Sequence, residues 1–429
     1  MPEENFKKHL NRLDLFCLGT NGVIGSGIFL LPGLAFKTAG TYSSLSFLLC
    51  ALLCFFIALV YAELSARFHG SGAAYEYSRN VLGKNWGFGV GWMMWVASTV
   101  GWASMARGFI QYLGAWLPEG KLWETLILVL LFLALAGINY WGVKPGAGIN
   151  NLFTGLKLIP LLIFILVGVF ILKPTRLTPI FPQSLPEIKM LGSGVFLVLF
   201  AYLGFEAMPV PAQEMKDCRK DLPEMIFAVL LVSALFYILI QMICISGNPA
   251  LAGSLKPLSD SSIFFLGKNG AQIITIGALL SMLGGCASLA LTVPRMLYVL
   301  SRDGFLPKSL NNVHSNFGTP NSAIIFTSLA AFILAATGSF ETLAVFCVLA
   351  TLWQFLPAAV SVLILKIKGE SLAYFKGRIG WLWLLLAFAS ISILFFQSGL
   401  KDFLASLAVI GVGFIIYLLN WGVKKWIAR

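Results

Sequence analysis

The chain has 429 residues, 58% of them hydrophobic and only 11% charged, with a net charge of +12 and a mean hydropathy of +0.86. A soluble domain carries about 25% charged residues, so this composition excludes one of any size and leaves a polytopic, all-α membrane protein. The positive balance calls for no nucleic acid, because membrane topology and anionic lipid account for it.

Apolar stretches long enough to cross a bilayer, for which about 20 residues suffice, recur from end to end. They cover 15–37, 45–66, 87–116, 123–140, 150–172, 191–211, 225–247, 270–300, 321–338, 342–365, 381–398 and 402–423. The first 14 residues are polar and carry both charges, and no small-residue cleavage site follows a short apolar core. No removed signal peptide is expected. With the N-terminus inside, twenty of the 30 Lys and Arg fall on the cytoplasmic side and eight on the other. Both termini are therefore expected in the cytoplasm.

The first span is uncharged from Leu15 to Phe36, yet its middle reads NGVIGSGIFLLPG, with Gly22, Gly25, Gly27, Pro32 and Gly33. Gly and Pro are the residues least suited to a continuous helix. Glu63 closes the second span, where a cytoplasmic ion pair is expected. The loop after it begins YAELSARFHGSGAAYEYSRNVLG. Arg107 in the third span is expected to snorkel or to pair with Glu119. Lys157 sits inside the fifth span, in TGLKLIP. An ionisable group at mid-membrane costs about 2.5–3.5 kcal/mol on insertion scales, so each needs a reason.

The sixth span contains FAYLGFEAMPVP, which places Gly204, Glu206, Pro209 and Pro211 within it. Two interrupted spans, five apart, are the pattern of a secondary transporter built from inverted repeats. Irregular backbone at that depth is tolerated where it lines a cavity or is buried in protein. PRMLYVLSRDGFLP follows later, then GTP at 318–320. Six of the seven cysteines (17, 50, 54, 244, 286 and 347) lie in apolar spans, and Cys218 lies in a loop. None has metal-ligand spacing, so neither disulfides nor a metal is expected. His69 and His314 are read as solvated loop residues.

Four of these stretches, VIGSGIF, the loop after span two, FAYLGFE and PRMLYVLSRDGFLP, resemble in order the signatures of the amino acid–polyamine–organocation superfamily. His69 and Ala73 depart from the family loop, where proline and glycine are usual. The resemblance implies a leucine-transporter-like fold with helices 1 and 6 unwound mid-membrane. Residues 1–172 would be the first inverted repeat, 173–368 the second, and 369–429 two peripheral helices. It implies that N–H groups at Gly25, Ser26 and Gly27 bind a carboxylate, a role that suits the start of a half-helix. Carbonyls at Val23, Phe200 and Leu203 would hold an α-ammonium group.

By the same resemblance, spans three, six, eight and ten line the pocket with Trp95, Ser98, Thr99, Trp102, Phe200, Tyr202, Cys286, Ser288, Leu289 and Trp353. Such a lining suits a neutral amino acid, since a cationic side chain would want a buried anion. Cation–π contacts leave a cationic substrate open. Glu206 matches a glutamate used in gating, with backbone capping as the alternative. Lys157 matches a lysine standing where sodium-coupled relatives hold an ion, either as a proton-coupling group or as a charged strut.

The expected function is secondary active transport of an α-amino acid by alternating access, as proton symport. Obligatory exchange, including cationic exchange, and an amino acid sensor remain as alternatives. An enzyme is not expected, because no His-Glu-x-x-His stretch or paired aspartate lies within a span. A primary pump would need a phosphate-binding loop. The expected partners are the amino acid, protons and the bilayer of a cell membrane, with no cofactor and no obligate protein partner.

Overall fold

The computed structural model describes residues 10–68, 72–114, 116, 120–142 and 147–427. Fourteen α-helices occur among them: α1 Arg12–Val23, α2 Gly27–Ala39, α3 Ser43–Arg67, α4 Ala74–Val81, α5 Lys84–Leu113, α6 Lys121–Tyr140 and α7 Ala147–Gly168. The second half holds α8 Leu185–Tyr202, α9 Cys218–Gly247, α10 Pro257–Arg302, α11 Asn321–Thr337, α12 Phe340–Ile367, α13 Gly377–Gln397 and α14 Leu400–Ile427. The only strand-like contact among the described residues is an isolated pairing of Leu10 with Met215.

Each expected span is helical over most of its length. Nine helical stretches of the described residues are long and apolar enough to cross a membrane. The 30-residue α5 falls outside that number, because its glycines, serines and tryptophans are near neutral in hydropathy. Yet α5 is the most enclosed scaffold element, packed against α10, α11 and α12. The first span is indeed two helices, and α1 ends at Val23 with α2 starting at Gly27. The sixth is broken after Tyr202, but only 3-10 turns follow, at Phe205–Ala207 and Ala212–Glu214. Pro209 and Pro211 explain the difference, since each removes a donor and restricts the residue before it.

Two helical stretches had no counterpart in the apolar pattern. The amphipathic α4 lies in the loop after α3, and α10 begins at Pro257, turning sharply at Gly267 (φ 69°). Ala73, the residue before α4, has φ 45° and ψ −129° and is fully buried. That region of backbone space is nearly exclusive to glycine.

The end of the bundle that carries residue 10 holds most of the polar ties. Arg12 bonds Asp221 at 2.6 Å and Glu224 at 2.8 Å, fastening α1 to α9. Arg79 pairs with Asp303, and the Tyr75 hydroxyl donates to the same carboxylate at 2.5 Å. Burial and Asp303 push the Tyr75 phenol up, so it stays a donor. Glu63 forms no ion pair among the described residues. Its buried carboxylate instead accepts from the N–H groups of Ala373 (2.9 Å) and Tyr374 (2.6 Å). At the opposite end Arg107 pairs with Glu124 at 3.0 Å. Glu124 is not the expected partner; that residue, Glu119, lies outside the described residues, as does His69. His314 accepts from the N–H groups of Asn316 and Phe317 and stacks on Phe317.

Candidate functional site

The two breaks touch each other. Gly204, at φ 122°, lies so close to α1 that a Cβ there would fall 2.6 Å from the Gly22 carbonyl carbon. Gly27 likewise packs on α8, where a Cβ would meet the Ala201 Cα at 2.7 Å. Glycine at 204 is required by conformation and by space together. These contacts place the start of α2 and the end of α8 side by side.

At the first break the helix unwinds over three residues. Ile24 N–H still reaches the Thr20 carbonyl, and Gly25 N–H turns back to Val23 at 2.9 Å. Ser26 is fully buried, does not cap α2, and its hydroxyl has no partner among the described residues. The first-turn N–H groups of a helix lack intrahelical acceptors, so this uncapped start offers donors to an anion.

The carbonyls freed by unwinding are largely spoken for. Lys157 Nζ donates to Ile24 at 2.7 Å and to Asn21 at 3.2 Å. Lys157 is buried and has no carboxylate partner among the described residues. It is the last rung of a ladder along α7, after Asn151 to Asp14 (2.8 Å) and Thr154 to the Cys17 carbonyl (3.1 Å). Residues three apart on α7 thus meet successive turns of α1.

Tyr237 on α9 was not singled out from the sequence. Its hydroxyl lies 3.0 Å from the Val23 carbonyl and 2.9 Å from that of Ala201. A phenol has one proton to give, so this group lies between both breaks and donates to one of the two carbonyls at a time. Nothing in the apolar run around it, VSALFYILIQM, marks that role. At the second break the carbonyls of Phe200 and Leu203 accept no hydrogen bond among the described residues. Gly204 N–H is taken by the Glu206 carboxylate at 2.8 Å.

The remaining expected residues divide by direction. Phe200 is buried edge-on against Phe340, with ring centroids 5.6 Å apart. The Ser98 hydroxyl lies 3.9 Å from the Met296 sulfur, half-buried. Trp102 is wholly buried against Phe132 of α6, and its indole N–H has no partner among the described residues. Tyr202 turns away, donating to the Phe47 carbonyl at 3.0 Å. Trp95 bonds Thr327 on α11, and Trp353 bonds Ser406 on α14, so both face neighbouring helices. In their place Met105 of α5 faces the break, its thioether wedged between Gly25 and Gly285 of α10.

The family described as amino acid permease matches residues 10–419. The branched-chain amino acid permease BcaP of Bacillus subtilis (strain 168) is 32% identical over 391 residues, covering 86% of this chain and 83% of that protein. The methylthioribose transporter of the same organism is 28% identical over 384 residues, 85% of this chain and 82% of that protein. Cationic amino acid transporter 3, mitochondrial, of Arabidopsis thaliana is 28% identical over 389 residues, 85% of this chain but 63% of that protein.

Proposed function

The chain belongs to the amino acid permease family, and we propose that it carries a neutral α-amino acid across a cell membrane by proton-coupled symport. As a permease it is a multi-pass membrane transporter of amino acids and not an enzyme. The observation that carries the site is the contact of the two breaks, Gly204 against Gly22. An amino acid carries opposite charges on adjacent groups. The uncapped start of α2 at Ser26 and Gly27 suits its carboxylate, whereas the Gly25 N–H is already given to the Val23 carbonyl. The unengaged carbonyls of Phe200 and Leu203 suit its ammonium. The Val23 carbonyl, already bonded to Tyr237 and Gly25, would act by holding the break open.

The side chain would lie towards α5 and α10, against Ser98, Met105 and Trp102. Met105 offers apolar, polarisable bulk there, and the Glu206 carboxylate at the second break is already committed to the Gly204 N–H. The branched-chain amino acids for which the Bacillus subtilis permease is named agree with that lining. In this reading residues 1–172 and 173–368 are inverted repeats, and 369–429 are peripheral. The broken helices rock against α5, α6, α10 and α11, with both termini in the cytoplasm.

Lys157 would load and release a proton in step with the break it bonds. Deprotonation weakens its hold on Ile24 and Asn21, loosening α1 from α7. Exchange without protons is the second reading, favoured by the same two bonds if they serve only as a strut. Uptake into proteoliposomes separates them. A proton gradient drives symport in empty vesicles, whereas exchange needs amino acid trapped inside.

A further inference from the structure

Away from the breaks, the junction of α12 and α13 forms an open cleft of about 480 Å³. Lys366, Lys376 and Arg378 line it, with Glu370 and Trp381. Glu370 is committed elsewhere, to Arg67 at 2.9 Å. Among the described residues Lys376 and Arg378 pair with no carboxylate, and both are exposed. Lys366 spends two of its three donors on the carbonyls of Phe375 (2.5 Å) and Gly377 (3.2 Å). Its ammonium sits 5.1 Å from the centre of the Trp381 ring.

The cleft opens onto an apolar wall. Ile379, Trp381, Leu382 and Leu385 of α13 are about half exposed or more, and α13 is long and apolar enough to span a bilayer. Basic groups and a tryptophan at the end of such a helix mark the membrane–water boundary. Cations there meet lipid phosphates, and the apolar face below meets acyl chains.

We propose that this cleft binds the phosphate headgroup of an anionic phospholipid, with Lys376 and Arg378 on the phosphate and the acyl chains along α13. The bound lipid would brace the segment 369–376. Glu63 holds that segment to α3 through Ala373 and Tyr374, so lipid occupancy stiffens one end of the bundle.

The test uses full-length protein in a neutral detergent, titrated separately with dioctanoyl phosphatidylglycerol, dioctanoyl phosphatidylcholine and inorganic phosphate, with thermal unfolding as readout. Phosphatidylglycerol should raise the melting temperature at concentrations where the other two do not. The concentration needed should rise about fivefold for each of Lys376→Gln and Arg378→Gln, and stay near that of the unmodified protein for Lys376→Arg. An equal effect of phosphatidylcholine, or an undiminished phosphatidylglycerol effect in the double variant, would overturn the proposal. Inorganic phosphate acting as well as phosphatidylglycerol would assign the cleft to a soluble anion and overturn it too.

Discussion

Lys157 Nζ lies 2.7 Å from the carbonyl oxygen of Ile24, the residue at which α1 unwinds. One buried cation from α7 therefore takes up backbone that the break has stripped of its helical partners. An unpaired buried carbonyl costs about 1–3 kcal/mol, so the break depends on what is bonded to it. Tyr237 does the same for Val23 or Ala201, one at a time. The site is held open by side chains from helices that are themselves continuous.

Tyr237→Phe deletes the one hydroxyl proton that the Val23 and Ala201 carbonyls share. The expected loss is about 1–3 kcal/mol of stability, read as a lower melting temperature in detergent. Uptake should fall more steeply than stability, because both breaks lose their common tie. An unchanged uptake rate would show that the bridge has no part in transport.

Gly204→Ala meets two obstacles, a backbone at φ 122° and the Gly22 carbonyl carbon 2.6 Å from the new Cβ. Strain of this kind costs about 1–3 kcal/mol before the clash is counted. Transport should be abolished even where protein is recovered folded by size-exclusion chromatography. Gly40→Ala makes a useful contrast, since its φ is also positive but nothing lies within 4 Å of the added Cβ.

Ala73→Gly should stabilise the protein. Alanine at φ 45° and ψ −129° is strained by about 1–3 kcal/mol, and glycine gives back about 0.4–1 kcal/mol through the unfolded chain. A net gain of about 1 kcal/mol should appear as a higher melting temperature. A decrease would mean that the packing of the methyl removed is worth more than the backbone strain relieved.

Met105→Ala should widen selectivity. Removing a thioether from between Gly25 and Gly285 leaves room beside the break, so bulky aromatic amino acids should compete better against labelled substrate. The stability cost should sit at or below the low end of the about 2–5 kcal/mol for such truncations, because Met105 is only half-buried. An unaltered competition profile would remove Met105 from the side-chain pocket.

Membrane helices announce themselves by length and apolarity, and the broken first and sixth spans were visible as Gly and Pro where a helix should be continuous. What stayed hidden depended on rotation about helix axes. Trp95, Tyr202 and Trp353 have the right chemistry for a pocket but point to other helices. Tyr237 looks like one more apolar residue of its span, since its hydroxyl finds partners some 36 and 214 residues away. A helix apolar all round gives no periodic signal of which face meets which neighbour. Glu63 was misread for a related reason. Charge suggested an ion pair, whereas the fold supplies two backbone donors.

The most direct test of the account is uptake of labelled leucine into proteoliposomes that contain no amino acid, with and without an imposed inward proton gradient, for the unmodified protein and for Lys157→Ala. The account predicts gradient-driven accumulation by the unmodified protein and its loss in the variant. Uptake by the unmodified protein that ignores the gradient and requires trapped amino acid would contradict it, and would leave Lys157 as a strut.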